Sequence, residues 1–366
     1  MLKLETPCIL IDLDIMEKNI QRMADIAKRN GVSLRPHVKT HKIPEIAHRQ
    51  LAAGASGITV AKVSEAEVMA THGITDIFIA YPVIGEGKIR RALDLHAKIR
   101  LILGIDSLEG AEALARAASS RGETVEVRLE VDTGLRRTGI PYDKVLEIAG
   151  KIAEWKGIRI TGIYTFKGLV FQGKSTLDRR QAGLEEGRLM VELAEEMKKL
   201  GLDIRDVSVG STPTAEFAAT VPGVTETRPG TYVFNDMMQV RAGSSSLEDC
   251  AARILTTVIS RPQADLGIID GGTKTFAGDA APGKAPYYFK GYGQVVEYPD
   301  LVLERLTEEH GMISLPEKGE EPRIGQRITV IPNHICPVIN LQDKVYFVKQ
   351  GETVKEVAVA ARGRVY

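Results

Sequence analysis

Over its first two thirds the chain repeats one pattern. A short apolar, β-branched run is followed by an amphipathic stretch of about ten or more residues, again and again. The runs Leu10–Leu13, Val32–Pro36, Gly57–Val60, Ile77–Ala80, Arg100–Gly104, Glu126–Val131, Gly162–Tyr164 and Asp206–Val209 read as strands. The segments Ile15–Asn30, Ile43–Ala53, Ser64–His72, Ser107–Ser120, Asp143–Lys156 and Leu177–Leu200 read as helices. The first of these has Ile15, Ile20, Met23, Ile26 and Ala27 at three-to-four spacing. Strand–helix alternation with short connections implies a parallel sheet with crossover helices. Eight or so units favour closure, so the expected fold is α/β, a (β/α)8 TIM-type barrel. Near Gly243 the pattern changes to short apolar runs separated by Gly and Pro: Ile254–Ile259, Gly267–Ile269, Gln294–Glu297, Arg327–Ile331, Lys344–Val348 and Val357–Ala360. These predict a second, mostly β C-terminal domain. The expected division is a barrel over 10–242 and a β domain over 243–366 joined by residues 1–9. The 366 residues suit a barrel of about 250 plus a domain of about 100.

Lys+Arg and Asp+Glu both number 48, so no basic excess points to nucleic acid or an anionic membrane. Three cysteines, Cys8, Cys250 and Cys336, are too few for a disulfide scaffold and fit a reducing, cytoplasmic setting. The opening MLKLETPCILIDLD places acidic residues where a signal peptide needs an apolar run. No segment approaches about 18 uninterrupted apolar residues, so neither export nor a membrane span is expected.

The segment SLRPHVKTHK ends a predicted strand with a basic cluster. In a parallel barrel the C-terminal strand ends hold the active site. A lysine there, Lys39, can attack a carbonyl if burial and neighbouring cations free its amine. Taken alone, Lys39 and Lys42 read equally as solvated loop lysines, flanked by His37 and His41. From Glu5 to Glu45, however, TPCILIDLD followed by RPHVKTHK resembles the fold-type III pyridoxal-phosphate (PLP) enzymes, the alanine racemase superfamily. Within it the wording resembles the D-threonine aldolase and D-serine dehydratase branch. The resemblance runs through essentially the whole chain. It makes Lys39 the residue that holds PLP covalently, as a Schiff base.

The same resemblance assigns other contacts. VDTGLRRTGI resembles the superfamily's TG-x-x-R-x-G motif and sets Arg137 near the PLP phenolic oxygen. VGSTPTAE and RPGTYVFND follow late strands. Their small residues Gly210, Ser211, Thr212, Gly230 and Thr231 let backbone N–H groups approach a phosphate. Tyr164, in GIYTFKG, falls where the family puts a tyrosine against the cofactor. The segment ITVIPNHICPVINL carries His334 and Cys336. On an extended chain, residues two apart share a face. A lone H-x-C is more often a strand histidine beside a core cysteine. The branch, however, carries a metal on a His-x-Asp or His-x-Cys pair, and the cysteine version is associated with zinc. N and S donors favour Zn²⁺ over Mn²⁺ or Mg²⁺. DGGTK (Asp270–Lys274) and EEHG (Glu308–Gly311) also resemble this branch, with no role assigned to His310.

The resemblance therefore implies a metal-assisted PLP lyase acting on a small β-hydroxy D-amino acid, by dehydration or by retro-aldol cleavage, and a homodimer. A racemase would need PLP but not His334 and Cys336, and would need a second base. A non-catalytic PLP-binding protein would be a bare barrel. One departure is clear. Both branches usually carry a histidine shortly after the tyrosine, whereas this chain has Phe166, Lys167 and Gln172 there.

Overall fold

The computed structural model describes residues 4–315 and 321–366. It divides into two units. One comprises Gln21–Lys39, Pro44–Gly230 and Arg364–Tyr366; the other comprises the residues up to Ile20, Thr40–Ile43 and Thr231–Gly363.

The first unit is a parallel barrel. Its strands are Ser33–Leu34, Ile58–Val60, Asp76–Pro82, Arg100–Ile105, Val125–Asp132, Ile158–Tyr164, Asp206–Val209 and Glu226–Thr227. From the second onward each pairs in parallel with the next. Glu226–Thr227 pairs back onto Ser33–Leu34. Bonds from Ser56 N to Leu34 O (2.9 Å) and Thr59 N to Pro36 O (2.8 Å) complete the ring. The strands are buried on both faces, as Ile77, Phe78 and Ile79 show, which is why their sequences are continuous apolar runs. Helices follow the strands at Val63–Thr71, Glu86–His96, Leu108–Ser120, Val145–Ala153 and Arg179–Lys199. Ser107 and Asp178 cap two of them through side chains that accept from Gly110 N and Gln181 N.

Two strand expectations are corrected. The run taken as Leu10–Leu13 is a strand over Cys8–Asp12, and it belongs to the second unit's sheet. The eighth barrel strand is the two-residue Glu226–Thr227, which has no apolar run to reveal it. Its Glu226 points into the barrel, where it accepts from Arg35 Nε (2.8 Å), Arg128 Nη1 (2.5 Å) and Ser208 Oγ (2.6 Å). Arg128 also pairs with Asp206 at 3.1 Å, and Arg35 with Asp76. A charge network thus occupies a position where the pattern of period two expects an apolar side chain.

The second unit is a nine-stranded sheet among the described residues. Cys8–Asp12 lies between Ala252–Gln263, antiparallel, and Lys344–Lys349, parallel. The arm before it is tied down by Asp270, which accepts from Thr6 Oγ1 and Thr256 Oγ1 (both 2.5 Å) and from Thr257 N (2.9 Å). The DGGTK and EEHG segments pack on each other: Thr273 N donates to Thr307 O (2.8 Å) and Lys274 N to Glu308 O (3.2 Å). Among the described residues His310 bonds within its own turn, to Thr307. Among the described residues no helix is long and apolar enough to cross a membrane.

Burial alone would raise the Glu226 carboxyl, but the charges of Arg128 and Arg35 outweigh it and hold the carboxyl well below its usual range. A depressed carboxylate stabilises the fold above its unfolded pKa and loses that contribution as pH falls through the folded value. Glu226→Gln leaves two buried guanidinium groups short of their partner, and should cost about 3–5 kcal/mol in urea unfolding. It should also flatten the acid limb of the stability–pH profile. A variant as stable as wild type at pH 7 would refute the role given to this network.

Candidate active site

In the barrel the candidate residues lie on turns that leave the C-terminal strand ends. Lys39 lies in the 3-10 turn Val38–Thr40, just after the first strand. It is half-buried, and its Nζ stands 5.6 Å from the centre of the Phe166 ring. Arg137 lies in the loop after Val125–Asp132. Asp132 Oδ1 closes that loop by accepting from Gly134 N (2.9 Å) and Arg136 N (3.0 Å). Gly139 has φ +111, and a Cβ there would meet Asp132 N at 2.6 Å, so only glycine lets the loop fold back this closely. Thr138 Oγ1 donates to Glu130 Oε1 (2.8 Å), fixing the residue next to Arg137. The guanidinium then sits 4.9 Å from the same Phe166 ring. Two cations therefore meet on one aromatic ring, a geometry worth about 0.5–2 kcal/mol each.

Tyr164 does not share that ring's position. It is 1% exposed, packs edge-on against Phe78 at 4.9 Å, and donates its hydroxyl to Glu130 Oε2 (3.0 Å). Burial raises the phenol well above its ordinary value, and the Glu130 charge adds to this. The aromatic side chain beside Lys39 is Phe166, two residues on. Arg228 lies over the Tyr164 ring at 5.2 Å, donates to Thr165 O, and is buried. Its Nε has no hydrogen-bond partner among the described residues.

Gly210, Ser211 and Thr212 form one buried turn after the seventh strand. Gly210 has φ +84 with Ala215 packed 3.1 Å from where a Cβ would be. Ser211 N donates to Thr214 Oγ1 at 3.0 Å. Gly230 follows the eighth strand and Thr231 begins the second unit. Lys167, in the place of the family's histidine, is fully buried and ion-paired with Glu185. Burial lowers its amine to about 8, with Glu186 opposing.

In the second unit the strand Arg327–Pro332 ends before the expected pair. His334 is the extended residue ahead of helix Ile335–Asn340, and Cys336 lies in that helix's first turn. The pair therefore converges across a strand-to-helix bend, not along a strand. Its supports were absent from the sequence reading. His334 Nδ1 is bonded to Asp279 Oδ2 at 2.5 Å. The fully buried Asp236 accepts from Ile335 N (3.0 Å), so it caps the helix bearing Cys336, and from Gln239 N (3.1 Å). Burial lifts Asp236 to about 6. Cys336 Sγ lies 3.3 Å from Thr40 Oγ1 and 3.6 Å from Thr231 Oγ1. Burial opposes charge on both members of the pair, but their mutual attraction outweighs it. The thiol is lowered, and the imidazole, also held by Asp279, is raised to about 11.

Residues 11–237 match the family described as alanine racemase, N-terminal domain. The chain belongs to that family. Residues 251–348 match the serine dehydratase domain family. The chain is 38% identical over 353 residues to D-threo-3-hydroxyaspartate dehydratase of Delftia sp. (strain HT23), covering 92% of each. It is 30% identical to D-threonine aldolase of Arthrobacter sp., covering 99% of this chain and 93% of that one. The solved metal-free form of a cysteine-to-alanine variant of D-threo-3-hydroxyaspartate dehydratase superposes with a TM-score of 0.89. It has 34% identity and covers 98% of both chains.

The family's fold is the setting for PLP, and the residues present fit that group. Arg228 offers a buried donor that lacks an acceptor among the described residues, and Phe166 a ring face between Lys39 and Arg137. The donors of the second unit fit an ion. A histidine whose Nδ1 is held by a carboxylate presents Nε2, and a thiol lies beside it. Among the described residues no three His, Cys, Asp or Glu side chains are grouped to hold an ion.

Asp279→Asn should therefore weaken zinc binding about 10–100-fold in chelator competition, because the imidazole loses its orienting carboxylate. PLP uptake by the barrel should be unaffected. Wild-type zinc affinity in the variant would remove Asp279 from the site.

Proposed function

We propose that this chain is a PLP-dependent lyase acting on β-hydroxy D-amino acids with a divalent ion at His334 and Cys336, and that dehydration with deamination is its reaction. The observation that carries this is the His334–Cys336 pair, oriented by Asp279. A racemase has no use for such a pair, and a bare PLP carrier lacks the domain that bears it. Zn²⁺ suits an imidazole and a thiolate better than Mn²⁺ or Mg²⁺ does. Dehydration is favoured over aldol cleavage by Cys336 and by the lack of a histidine soon after Tyr164. Phe166, Lys167 and Gln172 stand in that stretch, and the Lys167 amine is engaged with Glu185.

PLP, when bound, withdraws electrons from the substrate α-carbon. His334 and Cys336 would hold the ion, which would supply Lewis acidity toward the β-hydroxyl. The chain's own residues do the rest. Lys39 Nζ accepts the α-proton. Phe166 covers the reacting face and keeps water from it. Arg137 and the Arg228 Nε donor balance negative charge, while Ser211, Thr212, Gly230 and Thr231 hold the phosphate. A cytoplasmic homodimer belongs to this reading, and Cys8, Cys250 and Cys336 form no disulfide.

The test is product analysis on protein loaded with PLP and zinc. D-threo-3-hydroxyaspartate should give oxaloacetate and ammonia in equal amounts, and D-serine pyruvate and ammonia. Glycine with an aldehyde would make it an aldolase, and loss of optical activity without ammonia a racemase. EDTA should abolish turnover while borohydride still fixes PLP to Lys39. Label on Lys42, or full turnover in EDTA, would overturn the reading.

A further inference from the structure

Lys62 follows the second barrel strand, and Tyr81 lies near the end of the third. Register pairs Val60 with Ile79, so both project from the same C-terminal rim as Lys39 and Arg137. Lys62 is half-buried, and its Nζ sits 3.5 Å from the centre of the Tyr81 ring, whereas Tyr81 is 41% exposed. Among the described residues neither Lys62, Lys88 nor Arg137 forms an ion pair. Hydrogen bonding and charge from Lys62 lower the Tyr81 phenol, and Lys88 and Arg137 add to this against burial. Those three cations therefore act on one spot of the rim.

A half-buried ammonium held over an exposed aromatic ring, with no carboxylate partner, is an anion receptor whose counter-charge is to be supplied from outside. We infer that Lys62, seated on Tyr81 at the barrel mouth, anchors the side-chain carboxylate of an acidic β-hydroxy D-amino acid. This rests on the lyase reading and narrows it to dicarboxylic substrates. Lys62 is a specificity residue in this scheme. It touches the far end of the substrate and leaves proton transfer to Lys39.

The experiment compares wild type, Lys62→Gln and Lys62→Arg as full-length, PLP- and zinc-loaded protein, with thermal melting as a check on folding. Kinetics use D-threo-3-hydroxyaspartate and D-serine. Calorimetry uses D-malate, a dicarboxylate without an amine to react. In Lys62→Gln the KM for hydroxyaspartate and the Kd for D-malate should each rise about tenfold, the loss of one charged hydrogen bond. The effect should fall on KM more than on kcat, the KM for D-serine should hold, and Lys62→Arg should recover most of the loss. An unchanged Kd for D-malate overturns the inference. So does an equal rise for D-serine, which would place the α-carboxylate there. If no substrate turns over yet D-malate binding still depends on Lys62, the lyase reading fails and the anion site stands.

Discussion

One buried carboxylate braces the seam where the barrel closes. The eighth strand is two residues long, and the backbone bonds Ser33 N to Thr225 O (2.8 Å), Arg35 N to Thr227 O (2.9 Å) and His37 N to Pro229 O (3.0 Å) carry its pairing with the first. Glu226 adds side-chain bonds to that ladder. Its two oxygens bind Arg35 from just after the first strand, Arg128 from the fifth and Ser208 from the seventh, so one side chain links the seam to the far side of the ring. Burying one carboxylate and two guanidinium groups costs several kcal/mol per ion. The cost is recovered only because the geometry is bidentate on Arg128, and Asp206 and Asp76 take donors that Glu226 does not. The turns at the opposite end inherit their positions from this closure. Lys39 and Gly230 leave the two strands that Glu226–Thr227 pairing joins.

At the mouth, short turns place side chains with little freedom. Asp132 and Gly139 bend the Arg137 loop back on its own strand, and Glu130 fastens it through Thr138 while holding Tyr164 on the other oxygen. Burial raises the Glu130 carboxyl, and the two hydroxyls oppose that rise by donating to it. Tyr164 is thus a strut under Arg228, and Phe166 is the surface on which Lys39 and Arg137 converge. In the second unit Asp236 does for Cys336 what Glu130 does for Arg137. It caps the backbone at Ile335, so the thiol arrives beside His334 with its helix turn already fixed.

Much of the barrel was legible because buried parallel strands advertise themselves as apolar runs. The two errors have one cause. Cys8–Asp12 has the apolar pattern of a barrel strand but finds its partners, one antiparallel and one parallel, far away in sequence, whereas Glu226–Thr227 is a barrel strand without apolar residues. Periodicity reports burial, not partner. Motifs drew attention to Lys39, Arg137 and His334, and the structure brings the first two to one aromatic ring. The supports were not legible, because they act over distance: Asp279 is 55 residues from His334, and Glu130 reaches Tyr164 across 34. Asp236 alone left a local sign, standing as an N-cap residue before MMQVR. Phe166 was visible only as a missing histidine. Its position beside Lys39 required the backbone.

The two ends of the barrel treat positive charge in opposite ways. At the closed end every arginine that enters the interior meets a carboxylate: Arg35 with Asp76 and Glu226, Arg128 with Asp206 and Glu226. Those charges are neutralised within the fold and serve stability. At the mouth Lys62 and Arg137 meet aromatic rings instead. A ring face attracts a cation by about 0.5–2 kcal/mol and orients it without cancelling its charge. A carboxylate in the same place would have held the cation more firmly, and would have repelled the phosphate and carboxylate groups that the proposed cofactor and substrate bring. Aromatic seats for unneutralised cations are therefore the arrangement that lets this rim be both ordered and positive. Stability is concentrated at one end of the same eight strands so that the other end can keep its charge for a ligand.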